Sequence, residues 1–115
     1  MKTADDLIKQ AQAKINCLDI LSAKNLYDSA DNPVIIDVRE AQSAEKSKLQ
    51  SSVNISRGLL EMQIAKLCPS PDTFIITHCA GGGRASLSAL TLQDMGYTNV
   101  HAITAKYKDI KKVFG

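Results

Sequence analysis

A chain of 115 residues is expected to form one layered domain, long enough to build a core without metal or disulfide support. Its net charge of +2 is too small for an electrostatic grip on nucleic acid, and no stretch reaches membrane-spanning length. Cys17, Cys68 and Cys79 are the only cysteines and form no Cys-x-x-Cys pair, so neither a disulfide framework nor a zinc site is indicated, and no cofactor is implied.

Met1 to Asp6 lack the apolar run of a signal peptide, which makes the cytoplasm the expected compartment. Residues 4–14 read as an amphipathic helix, with Leu7, Ile8, Ala11 and Ile15 at helical spacing and Asp5 and Asp6 in the first turn. Residues 1–17 are therefore expected as a helical extension packed on a single domain, 1–115. Residues 15–20 read as a short strand or a link, with Cys17 in a core role without chemistry. Ser22 is expected to cap a helix from Ala23 to Ser29, before the turn Asp31-Asn32-Pro33. The β-branched run from Val34 to Glu40 predicts a central parallel strand buried on both faces, with polar residues at its end. Ligands of open α/β sheets gather outside the carboxyl ends of strands, so Asp37, Arg39 and Glu40 fall near a candidate site. Arg39 is expected to make a structural ion pair with a carboxylate, and Asp37 either joins it or orients a neighbouring loop. Residues 41–52 are polar and read as a solvated helix or loop, followed by a minimal strand, Val53–Ile55. Arg57 leaves that strand where it would attract an anionic substrate. A helix over 59–67 closes at Cys68-Pro69, with Cys68 a packing residue.

The most informative stretch is His78-Cys79-Ala80-Gly81-Gly82-Gly83-Arg84-Ala85. It follows an apolar run, residues 74–77, that predicts a buried strand, and precedes a helix over 85–95 stopped by Gly96. Three glycines allow backbone turns closed to other residues and leave no side chain over Cys79. Their amides can turn inward as an anion-binding nest beside a positive helix end, suited to a thiolate. Arg84 supplies a cation or braces the loop by donating to its carbonyls. Strand alternation turns His78 away from Cys79, which argues against a Cys–His catalytic pair. Val100–Ile103 reads as the last strand, with His101 structural, and Tyr107–Phe114 as a closing helix whose lysines form a solvated face.

With these motifs in place the chain resembles the rhodanese family of single-domain sulfurtransferases. The matching pieces are residues 35–40 (Ile-Ile-Asp-Val-Arg-Glu), 54–58 (Asn-Ile-Ser-Arg-Gly), 92–100 and above all 79–85. The resemblance implies an α/β fold, a small doubly wound, mainly parallel sheet flanked by helices. It also implies that Cys79 carries a persulfide sulfur from a donor such as thiosulfate or a persulfide to a thiol or cyanide acceptor. The backbone of Ala80, Gly81, Gly82, Gly83 and Arg84 would cradle that sulfur, Arg84 would hold the loop or a sulfonate donor, and Asp37 would support the loop. The implied partners are a small sulfur donor and a thiol acceptor, including a protein thiol, with no nucleic acid or membrane. Related cysteine phosphatases and arsenate reductases place five residues between cysteine and arginine; here there are four, a smaller cradle that suits sulfur. Residues 47–52 and 105–110 depart from the family's glycine-rich pattern at the rim. That departure keeps open a sulfur-delivery or binding module with little turnover of its own.

Overall fold

The computed structural model describes all residues, 1–115. In chain order the elements are α1 (Ala4–Gln12), β1 (Asn16–Leu18), α2 (Ile20–Ser29), β2 (Val34–Asp37), α3 (Ala41–Lys46) and β3 (Ser52–Asn54). A 3-10 turn (Arg57–Leu59) then leads into α4 (Leu60–Leu67), β4 (Ile75–His78), α5 (Gly83–Asp94), β5 (Val100–Ile103) and α6 (Tyr107–Phe114). The strands form one sheet in the order β1-β5-β4-β2-β3, and every pairing is parallel. Each of the first four strands is followed by a helix that returns the chain to the sheet's amino edge for the next strand, which is why no antiparallel pair arises.

Alternation along the strands builds two apolar layers. Ile36, Ile75, Val100 and Ala102 face Leu60, Ile64, Ala85, Ala89 and Leu92 of α4 and α5. Ile35, Ile76 and Ile103 face Ala23 and Ile110 of α2 and α6. A fully buried isoleucine contributes roughly 1.5–3 kcal/mol, so β2 and β4, apolar on both sides, anchor the fold. The chain leaves β2 toward β3 on one side and leaves β4 toward β5 on the other. The carboxyl ends of β2 and β4 are thus the switch point of the sheet, where a crevice opens between diverging connections. No helix is long and apolar enough to cross a membrane.

Several local expectations shift. Helix α2 begins at Ile20, because the Asp19 carboxylate accepts the Ser22 N–H at 2.8 Å; Asp19, not Ser22, is the cap. Helix α5 begins at Gly83, two residues early, because Gly82 takes a positive φ of 102° and closes the turn. Cys17 is exposed rather than in the core, since β1 is an edge strand bonded only to β5. Residues 41–52 are not wholly solvated: Leu49 is completely buried in the α2–α6 layer.

Candidate active site

Cys79 follows β4 directly at the switch point, on the α5 side that Ile75 and Thr77 also face. Its Sγ accepts the Gly82 N–H at 3.0 Å and the Ala85 N–H at 3.4 Å, and the residue is 1% exposed. The two donors belong to the loop and to the first turn of α5, so positive dipole ends converge on the sulfur. Thr77 donates its hydroxyl to the Ala85 carbonyl at 2.8 Å and fixes the helix start against the strand. The Gly82 carbonyl accepts both the N–H and the hydroxyl of Ser86, at 2.9 and 2.7 Å. Gln12 of α1 donates to that hydroxyl at 3.1 Å, and the Ile8 side chain of α1 packs over Gly83. On the other flank the Tyr107 N–H donates to the Ala80 carbonyl at 3.0 Å. Gly81 is exposed, and a methyl placed there would meet nothing within 4 Å. The loop is braced on its flanks and open over Gly81.

The remaining expected site residues are distributed differently. Arg84, in the first turn of α5, turns its guanidinium toward Glu40, 4.0 Å away across the rim, and not to the loop carbonyls. Its side chain is 40% exposed, so this pair adds little stability and leaves the cation reachable. Arg57 reaches Thr91, in the second half of α5, at 3.4 Å and lies 3.8 Å from Glu61, so its partners are on α5 and α4 and not in the cysteine loop. Asp37 does not touch the loop. Its carboxylate accepts the Arg39 backbone N–H at 3.0 Å, Nε at 3.0 Å and Nη2 at 2.8 Å. This is the structural ion pair expected of Arg39. Burial alone would raise the Asp37 carboxyl, but the bonds and charge of Arg39 outweigh it and hold it below the usual range. Cys68 is buried as a packing residue, and desolvation pushes its thiol up.

His78 pairs with Asp37 in the β2–β4 register and is fully buried on the α6 side, away from Cys79 Sγ. Neither ring nitrogen has a hydrogen-bond partner. Desolvation pushes its imidazole below the ordinary range, with Asp37 opposing. His101 is pushed down by burial too, while bonded to Asn99 at 2.9 Å. In the unfolded chain both imidazoles take up protons near pH ~6.5, where the native chain resists them. Stability should therefore decline as pH falls through about 6.5, and fall again below about 4 as the Asp37–Arg39 pair is protonated apart. Urea midpoints measured from pH 7.5 to 2.5 would show both steps, and His78→Phe should flatten the first. An unchanged first step in His78→Phe would contradict the role given to His78.

Tyr107, Ser86, Gln12 and Thr77 were not legible as site residues. Tyr107 carried one usable signal, its place just beyond the carboxyl end of the last strand. Gln12 carried none, being one of several polar residues on an extension. The largest cavity, about 600 Å³, lies at the opposite, amino edge of the sheet beside Asn32, Val34 and Phe74 and contains no cysteine.

A model of the rhodanese-like domain matches residues 22–112. The chain belongs to the rhodanese-like family. As a rhodanese-like domain it is 29% identical over 86 residues to a Bacillus subtilis protein named "Putative sulfur carrier protein YrkF", covering 75% of this chain and 45% of that one. The chain thus spans less than half the length of that relative. A Rhodopseudomonas palustris protein of unknown function, described as a "possible tyrosine phosphatase", is 30% identical with a TM-score of 0.84, covering 100% of this chain and 93% of the other. An Escherichia coli rhodanese solved with anions is 27% identical with a TM-score of 0.63, over 68% of this chain and 91% of the other. The family match begins after α1, so Ile8 and Gln12 buttress the cysteine loop from outside the matched residues.

Proposed function

We propose that this rhodanese-like domain is a sulfurtransferase that carries a sulfane sulfur on Cys79. The observation that carries the reading is the pair of N–H donors from Gly82 and Ala85 on Cys79 Sγ, at the head of α5 and the sheet's switch point. In the first step the Cys79 thiolate attacks the outer sulfur of thiosulfate or a persulfide. A sulfur–sulfur bond forms to Cys79 as the donor's own bond breaks, and sulfite or a thiolate leaves with the electron pair. The persulfide anion is held by loop amides; Gly83 and Arg84, in the first turn of α5, have no carbonyl behind them to accept their N–H groups. In the second step cyanide or a thiolate attacks the outer sulfur and Cys79 thiolate departs, so the two displacements balance without an external oxidant. Arg84, exposed at the rim, would draw an anionic donor toward the open side over Gly81.

The test is the intact mass of the protein before and after thiosulfate, then after cyanide. Gain of one sulfur and its removal by cyanide is expected; no gain from thiosulfate or from a persulfide donor would refute the reading. A delivery module is the second reading, favoured by the sulfur-carrier name of the Bacillus subtilis relative and by the altered rim at 47–52 and 105–110. It expects slow turnover with thiosulfate and cyanide but fast exchange with a protein thiol. Phosphatase chemistry, raised by the Rhodopseudomonas palustris description, is disfavoured by the four-residue spacing from Cys79 to Arg84 and by the turn of Arg84 toward Glu40. Hydrolysis of p-nitrophenyl phosphate lost in Cys79→Ser would reverse that ranking.

A further inference from the structure

The cysteine loop needs a brace on the flank opposite α1, and the segment that supplies it, residues 105–110, is where this chain departs from the family's glycine-rich pattern. Tyr107 is the first residue of α6, and its backbone N–H holds the Ala80 carbonyl at 3.0 Å. Carbonyl and N–H point opposite ways across a trans peptide, so this bond turns the Gly81 N–H away from α6. The orientation of the first loop peptide is thus set by where the backbone of Tyr107 sits. Three contacts of the side chain fix that place. The Arg39 guanidinium lies over the ring at 3.9 Å from its centroid. The His78 ring is nearly parallel to it, at 6.0 Å and 23°. The phenol oxygen lies 2.7 Å from Ser47 Oγ, and Arg39 also donates to the Ser47 carbonyl at 2.6 Å. Arg39 is itself held by the buried Asp37 carboxylate. A continuous chain therefore runs Asp37, Arg39, Tyr107, Ala80 carbonyl, and it ends one residue from the nucleophile.

We infer that Tyr107 is a positioning residue for the Cys79 loop, its ring locked on Arg39 so that its amide sets the Ala80–Gly81 peptide for sulfur transfer. Through this chain Asp37 supports the loop at second hand, the role the sequence suggested for it by direct contact. The inference rests on the sulfurtransferase reading for its kinetic consequence but not for its structural one. A guanidinium over an aromatic face is attracted by the ring quadrupole, an interaction that phenylalanine retains and an aliphatic side chain does not. Pentafluorophenylalanine keeps the shape while removing the negative face that Arg39 meets.

The experiment compares Tyr107→Phe, Tyr107→Leu and pentafluorophenylalanine at position 107. It reads the amide resonances of Gly81, Gly82 and Gly83 in unloaded protein, the rate of sulfur uptake at saturating thiosulfate, and the melting curve. Tyr107→Phe, which keeps the ring over Arg39 but loses the Ser47 contact, should move the glycine resonances and lower the rate least of the three. Tyr107→Leu should shift the glycine resonances and lower the saturating rate by about tenfold or more, with little change in the thiosulfate concentration for half-saturation. The fluorinated variant, which preserves packing should Tyr107→Leu fail to fold, should shift the same resonances and lose rate in the same direction. Unmoved glycine resonances in the fluorinated variant, or equal losses in the phenylalanine and fluorinated variants, would overturn the positioning role. If wild type takes up no sulfur while the resonances move as described, the positioning role stands and the sulfurtransferase reading falls.

Discussion

Cys79→Ser should take up no sulfur from thiosulfate or from a persulfide donor, a loss of about a thousandfold or more. Serine places an oxygen within reach of the same Gly82 and Ala85 donors, but an alcohol at neutral pH is not ionised and nothing beside it takes its proton. His78, the adjacent candidate base, lies on the other side of the sheet against Tyr107. Because the hydroxyl still accepts the two amides, the variant should fold with a change of about 1 kcal/mol or less. Cys79→Ala offers no acceptor and leaves two donors unpaired at a position 1% exposed, which should cost about 1–3 kcal/mol in urea unfolding. The pair of variants separates chemistry from architecture: equal loss of sulfur uptake, unequal loss of stability. Cys17→Ser and Cys68→Ala serve as controls and should load sulfur like wild type, since neither thiol has an N–H cradle. Sulfur uptake retained in Cys79→Ser, or moved to Cys68, would end the Cys79 proposal.

The distribution of what could be read in the sequence follows from the physics of each signal. Strands β2 and β4 were legible because burial on both faces demands apolar, largely β-branched runs such as Val34-Ile35-Ile36 and Ile75-Ile76-Thr77. The cysteine loop was legible because only glycine tolerates Gly82's positive φ, and a run of three before a helical pattern marks a helix entry. The partners of the charged residues were not. A guanidinium reaches several ångströms in any direction, so sequence placed Arg57 and Arg84 near the rim without showing that one turns to Thr91 and the other to Glu40. Asp37 was left between the ion pair with Arg39 and support of the loop, because both lie at the loop end of its strand, and only the fold shows Arg39 taking both carboxylate oxygens. Cys17 was misplaced for a related reason: an apolar neighbourhood of Ile15, Leu18 and Ile20 suggests burial, and only the strand order shows that β1 lies at an edge. The braces from Gln12 and Tyr107 join residues far apart along the chain, and no local pattern encodes such contacts.

Gly82→Ala should be the most damaging single-methyl change in the loop. At φ 102° an L side chain is strained, and the added Cβ would sit 2.6 Å from the Thr104 carbonyl oxygen and 2.8 Å from its Cα. Those are backbone atoms at the end of β5, so the loop must move instead. Strain at such a position costs about 1–3 kcal/mol, and displacement of backbone raises the expected total to roughly 2–4 kcal/mol. Typical domains have about 5–15 kcal/mol to lose, so the variant should still fold at low temperature, and its sulfur uptake can be measured. That uptake should fall sharply, because the peptide that must shift is the one whose N–H meets Cys79 Sγ. Gly81→Ala is the contrasting case. Nothing lies within 4 Å of its Cβ position and its φ is not positive, so stability should change by about 0.5 kcal/mol or less. If donors reach the sulfur over Gly81, the methyl there should slow uptake from bulky persulfides more than from thiosulfate. Urea unfolding beside uptake rates for the two variants reads both effects. Equal stability of Gly82→Ala and wild type would mean that the loop does not hold the turn described, whereas unchanged uptake in Gly81→Ala would move the approach of the donor to another side of the loop.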